Sequence, residues 1–309
     1  MKKTIHFILL VLIIVFISFY IINKWDFQLL EKISFNPAYL LVSFVLYSLH
    51  YFLVARLSHY LVSVKKKIDY SDYLVVYFIS QLGRYVPGKI WMIVGKFEAL
   101  RRKGFSVSWV TFSSFHEMML MIVGAGLVSL ASIPFLDLQH IGLDQDSKYI
   151  FLCLPILFLP MIKPAVSYSL NLIPKFLSKK WTIPSFIYPY SNKQIIFVSI
   201  GYSLSWCLQG IGFFLLAVSI FPKIGFSTLF FFSYAIAWII GFLAVFSPSG
   251  IGVRESILIV LLSQQFNSSE AAILALSSRL AATIVEFSIS FIIVVFSFSK
   301  EYFKKRVEK

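Results

Sequence analysis

Ten charged side chains interrupt an otherwise apolar sequence, and any chemistry the protein performs within its apolar part must draw on them. Six are basic: Arg56, Arg84, Lys89, Lys96, Arg254 and Arg279. Four are acidic: Glu98, Glu117, Glu255 and Glu286. A charge at the centre of a membrane helix costs about 2.5–3.5 kcal/mol on insertion scales. If half of these lay near the centre, the cost would be roughly 12–18 kcal/mol, at least the stability of a typical domain. They must therefore face one another or water. Structural ion pairs account for as many bases as there are acids, and two positive charges remain. A bound anion would offset them, and a phosphate fits because arginine engages it in a bidentate fashion.

Two stretches place bases beside residues that break helices. The first is Gly83-Arg84-Tyr85-Val86-Pro87-Gly88-Lys89, and the second is Ser247-Pro248-Ser249-Gly250-Ile251-Gly252-Val253-Arg254. Glycine-rich breaks expose backbone N–H groups, and helix N-termini favour anions. Arg84, Lys89 and Arg254 are the expected phosphate ligands, with the breaks formed at Gly83, Pro87, Gly88, Pro248, Gly250 and Gly252. Glu117, Glu255, Arg279 and Glu286 are the expected intramembrane charge partners. Arg279 and Glu286 are seven residues apart, so each should find its partner on another helix. Glu117 reads as a buried acid paired with an arginine. Lys96 and Arg56 read as bases that snorkel to the cytoplasmic interface.

His116-Glu117 suggests a metal or proton relay, but Leu120 stands where a zinc protease would carry its second histidine. No P-loop, dinucleotide fingerprint, nucleophile elbow or zinc-ligand cluster is found. No catalytic residue, metal or cofactor is expected. Cys153 and Cys207 lie inside apolar stretches as small core residues. Asn267-Ser268-Ser269 matches a glycosylation acceptor, a tripeptide too short to carry weight.

The elements that hold these charges are membrane helices. Of 309 residues, 59% are hydrophobic and only 14% charged, with a mean hydropathy of +0.83; soluble domains are about 25% charged. The net charge of +14 could suggest nucleic-acid binding. The lysines and arginines instead sit in short clusters beside apolar runs, as the positive-inside rule produces, and no nucleic-acid partner is expected. Spans of roughly 20 residues are expected at Ile5–Ile22 (an uncleaved signal-anchor), Ala38–Val62, Ser108–Ile133, Tyr149–Ile162, Gln194–Phe221 and Ala271–Ser299. The segment 163–193 reads as an interfacial connector.

Charge placement sets the topology. Lys65–Lys67 and Arg101–Lys103 would fall on opposite sides if the segment between them crossed fully. If it enters, breaks and returns, both are cytoplasmic. The expected fold is all-α: a single integral membrane bundle over residues 1–309, with about six full spans and two re-entrant hairpins, near 70–98 and 226–266. Eight kinked spans are the alternative. Eighteen Lys/Arg then lie inside with both termini, and four outside: Lys24, Lys32, Lys148 and Lys223. Hairpins entering from opposite faces resemble the inverted layouts of transporters.

Gly83-Arg84-Tyr85-Val86-Pro87-Gly88-Lys89-Ile90-Trp91, with the basic cluster and Gly104 after it, resembles the first signature of the lysylphosphatidylglycerol synthase transmembrane-region family, also called flippase-like. Pro248-Ser249-Gly250-Ile251-Gly252-Val253-Arg254-Glu255 resembles its second, with Ser249 where glycine is more usual. The resemblance covers essentially the whole chain. It implies a cytoplasmic-membrane module that moves or presents lipids, notably aminoacylated phosphatidylglycerol; other members accompany envelope-glycan pathways that use polyprenyl phosphates. The family's best-known members add a soluble aminoacyl-transfer domain. This chain ends ten residues after its last expected span, so that activity is not expected. The expectation is a translocase for an anionic membrane lipid. The rival is a non-transporting subunit that binds lipid and recruits an envelope-synthesis enzyme. A membrane-embedded transferase dependent on Glu117 or Glu255 is a weaker third. Sequence leaves the oligomeric state open.

Overall fold

The computed structural model describes residues 34–85, 90–136, 189–244 and 247–307. The expected spans Ile5–Ile22 and Tyr149–Ile162, nearly all of the connector, and Pro87, Gly88 and Lys89 lie outside the described residues. Among those described, all regular structure is helical. The α-helices are α1 (Pro37–Ser63), α2 (Tyr70–Leu82), α3 (Ile90–Arg102), α4 (Val107–Ser132), α5 (Asn192–Ile220), α6 (Leu229–Leu243), α7 (Val253–Leu262) and α8 (Ser268–Val307).

Four helices are long and apolar enough to cross a membrane: α1, α4 with its 3-10 extension to Phe135, α5, and α8 as far as Ser297. They start and stop for local reasons. Asn36 caps α1 through Oδ1, which accepts from Ala38 N at 3.0 Å, and Pro37 follows at the first position, where its missing N–H costs nothing. Ser191 and Gln194 form a reciprocal capping box at the start of α5. Asn192 and Lys193, expected in the connector, are therefore the first turn of α5.

Helices α1 and α5 form an antiparallel central pair. At one end Ser34 N and Asn36 N donate to Ile220 O and Ser219 O, and at the other Tyr190 Oη donates to Leu61 O at 3.1 Å. Without a hydrophobic force between helices in lipid, close packing of small residues and interhelical hydrogen bonds must hold them. Ser43 Oγ donates to Gly212 O at 2.7 Å, and His50 Nδ1 donates to Ser205 O at 2.9 Å. Helix α4 runs parallel to α5 on its flank, tied by Trp109 Nε1 to Val62 O at one end and Thr228 Oγ1 to Ser132 O at the other. Apolar side chains such as Phe197, Phe291 and Phe296 face outward.

The remaining helices are too short to cross. Helices α2 and α3 have 13 residues each, about 20 Å of rise against roughly 30 Å of hydrocarbon. They pack on each other, and their outer ends meet: Lys66 Nζ donates to Lys103 O at 2.9 Å, and Lys103 Nζ to Asp72 Oδ2 at 2.6 Å. The two basic clusters thus lie at one end of the bundle. Helices α6 and α7 pair in the same way, with Ser227 Oγ donating to Gln265 Oε1 at 2.8 Å where they begin and end. That end of the bundle is the one where α1 starts and α5 stops, so the two pairs approach from opposite ends. Their inner breaks, the 3-10 turns Gly83–Tyr85 and Pro248–Gly250, touch inside the bundle. Helix α8 passes both, packing on α2, α7 and α1.

Two glycines explain why the breaks can pack this closely. Gly83 has an ordinary helical φ of −62°, yet a Cβ there would stand 2.7 Å from the backbone of Trp91 and Met92. Its role is close approach of the two arms, not left-handed geometry. Gly250 has φ +72°, and a Cβ would meet Gly241 O at 2.8 Å. Gly250→Ala should destabilise the protein by roughly 2–4 kcal/mol, from left-handed strain and backbone overlap together, whereas Gly126→Ala, with open space around it, should be neutral. Thermal unfolding in detergent checks both; equal melting temperatures for the two variants would refute the packing account.

Candidate functional site

Where the breaks meet, charges converge from three elements: the first break, α7 and α8. Arg84, in the first break, donates through Nη2 to Gln81 Oε1 one turn earlier, and its Nε lies 3.5 Å from Glu286 Oε1 on α8. Glu286 is almost wholly buried, and its other oxygen accepts from Tyr85 Oη at 2.7 Å. Arg279, two turns before Glu286 on α8, reaches the second break. Its Nη2 donates to Ser249 Oγ at 2.8 Å and Ser249 O at 3.3 Å, while its Nε lies 3.6 Å from Glu255 Oε1 on α7. As expected from their spacing, Arg279 and Glu286 pair with other elements. Helix rise puts them about 16 and 27 Å along an apolar segment of about 45 Å, within the bundle's depth.

Ser249 departs from the family-like pattern and carries the unusual backbone: it is the only non-glycine residue with positive φ among those described, at 51°. Its hydroxyl and carbonyl both receive Arg279, a charge-assisted contact that a glycine could match only through its carbonyl. Helix α7 begins at Val253, so Arg254, expected at the end of the break, occupies its first turn together with Glu255. Glu255 Oε2 accepts from Gly252 N at 2.6 Å and closes the helix end.

Arg254 is different from the other bases. It is 7% exposed, its guanidinium lies 4.3 Å over the Tyr234 ring, and no carboxylate among the described residues comes within ion-pair distance. Its Nη2 is buried without a hydrogen-bond partner. Tyr234 in turn accepts from Gln209 Nε2 at 2.6 Å. Arg84 Nε, Glu255 Oε1 and Glu286 Oε1 are likewise buried without hydrogen bonds, their ion pairs being held at 3.5–3.6 Å. Buried polar groups are normally satisfied. This cluster is under-satisfied on both its cationic and its anionic atoms.

The other expected partner, Glu117, belongs to a separate cluster. It pairs with Lys96 on α3, not with an arginine. Lys96 does not snorkel: it is 4% exposed, because the arm that carries it lies against α4 rather than at the interface. Arg56 is exposed, with Nη1 3.1 Å from His59 Nδ1 and its guanidinium 5.0 Å over Tyr70. Glu98 is at the rim as well. Arg101 and Arg102 hydrogen-bond it and hold its carboxyl down to about 2. Three pairs with buried carboxylates therefore close among the described residues, Lys96–Glu117, Arg84–Glu286 and Arg279–Glu255. Among the described residues the one buried cation left over is Arg254. Lys89 lies outside the described residues.

The lysylphosphatidylglycerol synthase TM region matches residues 7–289, which takes in both breaks and every charge of the two clusters. The chain belongs to that family. The resemblance read from the two glycine-rich segments is thus correct, and the match ends three residues beyond Glu286. Among curated proteins, none matches this family member closely enough to count as a relative.

Several residues of the cluster carried no sequence signal of their own. Tyr85, Gln81, Gln209 and Tyr234 are polar groups in apolar helices, and only their spacing from a charge could have marked them. Glu286→Ala should cost about 2–4 kcal/mol by leaving Arg84 without its carboxylate, and Tyr85→Phe about 1 kcal/mol. Unfolding of purified variants measures both; a Glu286→Ala protein as stable as the native one would show that the pair is not formed.

Proposed function

We propose that the protein binds the phosphate of an anionic membrane lipid between its two backbone breaks and carries that lipid across the cytoplasmic membrane. The observation that carries this reading is Arg254, a buried guanidinium with an unpartnered Nη2 and no carboxylate of its own. A phosphate would supply the missing acceptor and the missing charge together. Arg84 is the second ligand, since its pair with Glu286 is loose enough at 3.5 Å to be exchanged. Lys89 is the third, placed by sequence alone five residues beyond Arg84. Glu255 and Glu286 hold Arg279 and Arg84 while the site is empty and release them as a headgroup arrives.

The two short helix pairs are read as re-entrant hairpins, one from each leaflet. Irregular backbone at membrane depth is tolerated only in protein or beside a wet cavity, and the touching breaks satisfy the first condition. With the Lys65–Lys67 and Arg101–Lys103 clusters at one end, the positive-inside rule makes that end cytoplasmic, along with both termini. The family's name supports a lipid with a phosphatidylglycerol headgroup, and aminoacyl transfer is no part of the proposal.

Reconstitution into vesicles containing fluorescent phosphatidylglycerol, its lysyl form or a polyprenyl phosphate tests the reading by following probe exchange between leaflets. Arg254→Ala should slow exchange of the preferred probe about tenfold or more, the value of a charge-assisted contact, and Arg254→Lys should recover part of it. Native protein that binds a probe but moves none would favour the lipid-binding subunit instead. Equal exchange by native and Arg254→Ala protein would remove the site.

A further inference from the structure

The headgroup site does not use the second buried cluster, and its geometry points to a proton-binding site; we propose that Lys96 and Glu117 couple lipid movement to the uptake of one proton. This rests on the translocase reading above and adds the source of drive. Four helices meet at the pair. Ser58 on α1 donates to Glu117 Oε2 at 2.5 Å and accepts from Lys96 Nζ at 2.9 Å and from Tyr73 Oη at 2.5 Å. The hydroxyl's single donor and two lone pairs are then all used, which fixes the direction of each bond in the chain. Lys96 also sits 5.6 Å from the rings of Tyr73 and Tyr77 on α2.

Three features set this pair apart from a passive bolt. First, it joins α3, the arm next to the break that holds Arg84, to α4, one of the full-length spans. Second, it is not fully sealed: Glu117 keeps 10% of its side chain exposed. A cleft of about 500 Å³ at the basic rim, lined by Val76, Gly95, Glu98, Ala99, Arg102 and Lys103, lies along the arm that carries Lys96. Third, among the described residues the surroundings supply no other charge. The titratable groups facing Glu117 are Tyr73 and Tyr77 on α2, Lys96 on α3 and Tyr202 on α5. His116, its neighbour on α4, turns its Nδ1 to Phe112 O, and Tyr234 on α6 packs on Arg254. Nothing among these replaces Glu117 as a counter-ion for Lys96.

The step is a simple protonation. A proton from water adds to a Glu117 oxygen, an O–H bond forms, and the Lys96 ammonium loses its counter-charge. A bare ammonium is costly at that depth, so α3 is released from α4 and the hairpin bearing Arg84 becomes free to shift. Loss of the proton on the far side restores the pair. A lipid of one negative charge carried with one proton crosses without net charge, which spares the transfer the cost of the membrane potential.

Two measurements on the reconstituted full-length protein test this. In vesicles with trace fluorescent phosphatidylglycerol, a gradient of about one pH unit should drive probe asymmetry between leaflets toward about tenfold, the equilibrium bias of one coupled proton. The Lys96→Met, Glu117→Gln double variant, in which no charge is orphaned, should show no such gradient response. Independently of transport, infrared difference spectra of native protein on acidification should show a protonated-carboxyl band that is missing in Glu117→Gln and changes on adding phosphatidylglycerol. Probe exchange that ignores the gradient, or a double variant that still follows it, overturns proton coupling while leaving the lipid site standing. Absence of the infrared band overturns it even if the double variant fails to fold. No exchange by native protein under any gradient sinks both readings.

Discussion

Charge neutrality at depth is the constraint on which this bundle depends. An isolated charge in a low-dielectric interior is too costly to keep, so each buried cation must find an anion. Arg84 with Glu286 and Arg279 with Glu255 meet that demand only if α8 lies against both breaks at once. The pairs therefore hold the two short helix pairs tip to tip, and α8 is the post on which both are hung. The same constraint makes Arg254 informative, because it is the place where neutrality among the described residues fails.

The breaks are possible because their backbones are covered by protein. Gly83 lets α2 and α3 close on each other, and Gly250 lets the second break lie on Gly241. Ser249, in a left-handed conformation, is held by the guanidinium of Arg279. A residue that is awkward for the local backbone is thus tied into the electrostatic network. Backbone geometry and charge pairing support each other at this one point, and neither is explained alone.

Two polar clusters share the first hairpin without sharing residues. The break carries Arg84 toward α8, while the arm beyond it carries Lys96 toward α4. Buried ion pairs add little net stability, since desolvation offsets their attraction, but losing one partner is expensive. Such pairs are better suited to defining alternative positions of an element than to strengthening it. A hairpin anchored at two points by exchangeable pairs, with a serine–tyrosine hydrogen-bond chain behind one of them, has the parts needed to occupy two positions.

Much of this architecture was legible in the chain itself. Membrane class, the full-length helices among the described residues and the places where backbone breaks occur follow from hydropathy, cluster charges and Gly/Pro placement, because these are local properties that lipid and water act on directly; the family was legible separately, in the resemblance of the two glycine-rich segments to its signatures. That Arg279 and Glu286 must find partners on other elements also followed, from their separation of about two helical turns. Partner choice did not. Lys96 reads as an interfacial lysine until the return of the hairpin buries it, and Glu117 could have met any base. Arg254's isolation, the depth of Tyr85, Tyr234 and Gln209, and the contact between the two breaks depend on residues far apart in sequence. Pairing in a low-dielectric interior is decided by which helices touch, and only the tertiary structure settles that.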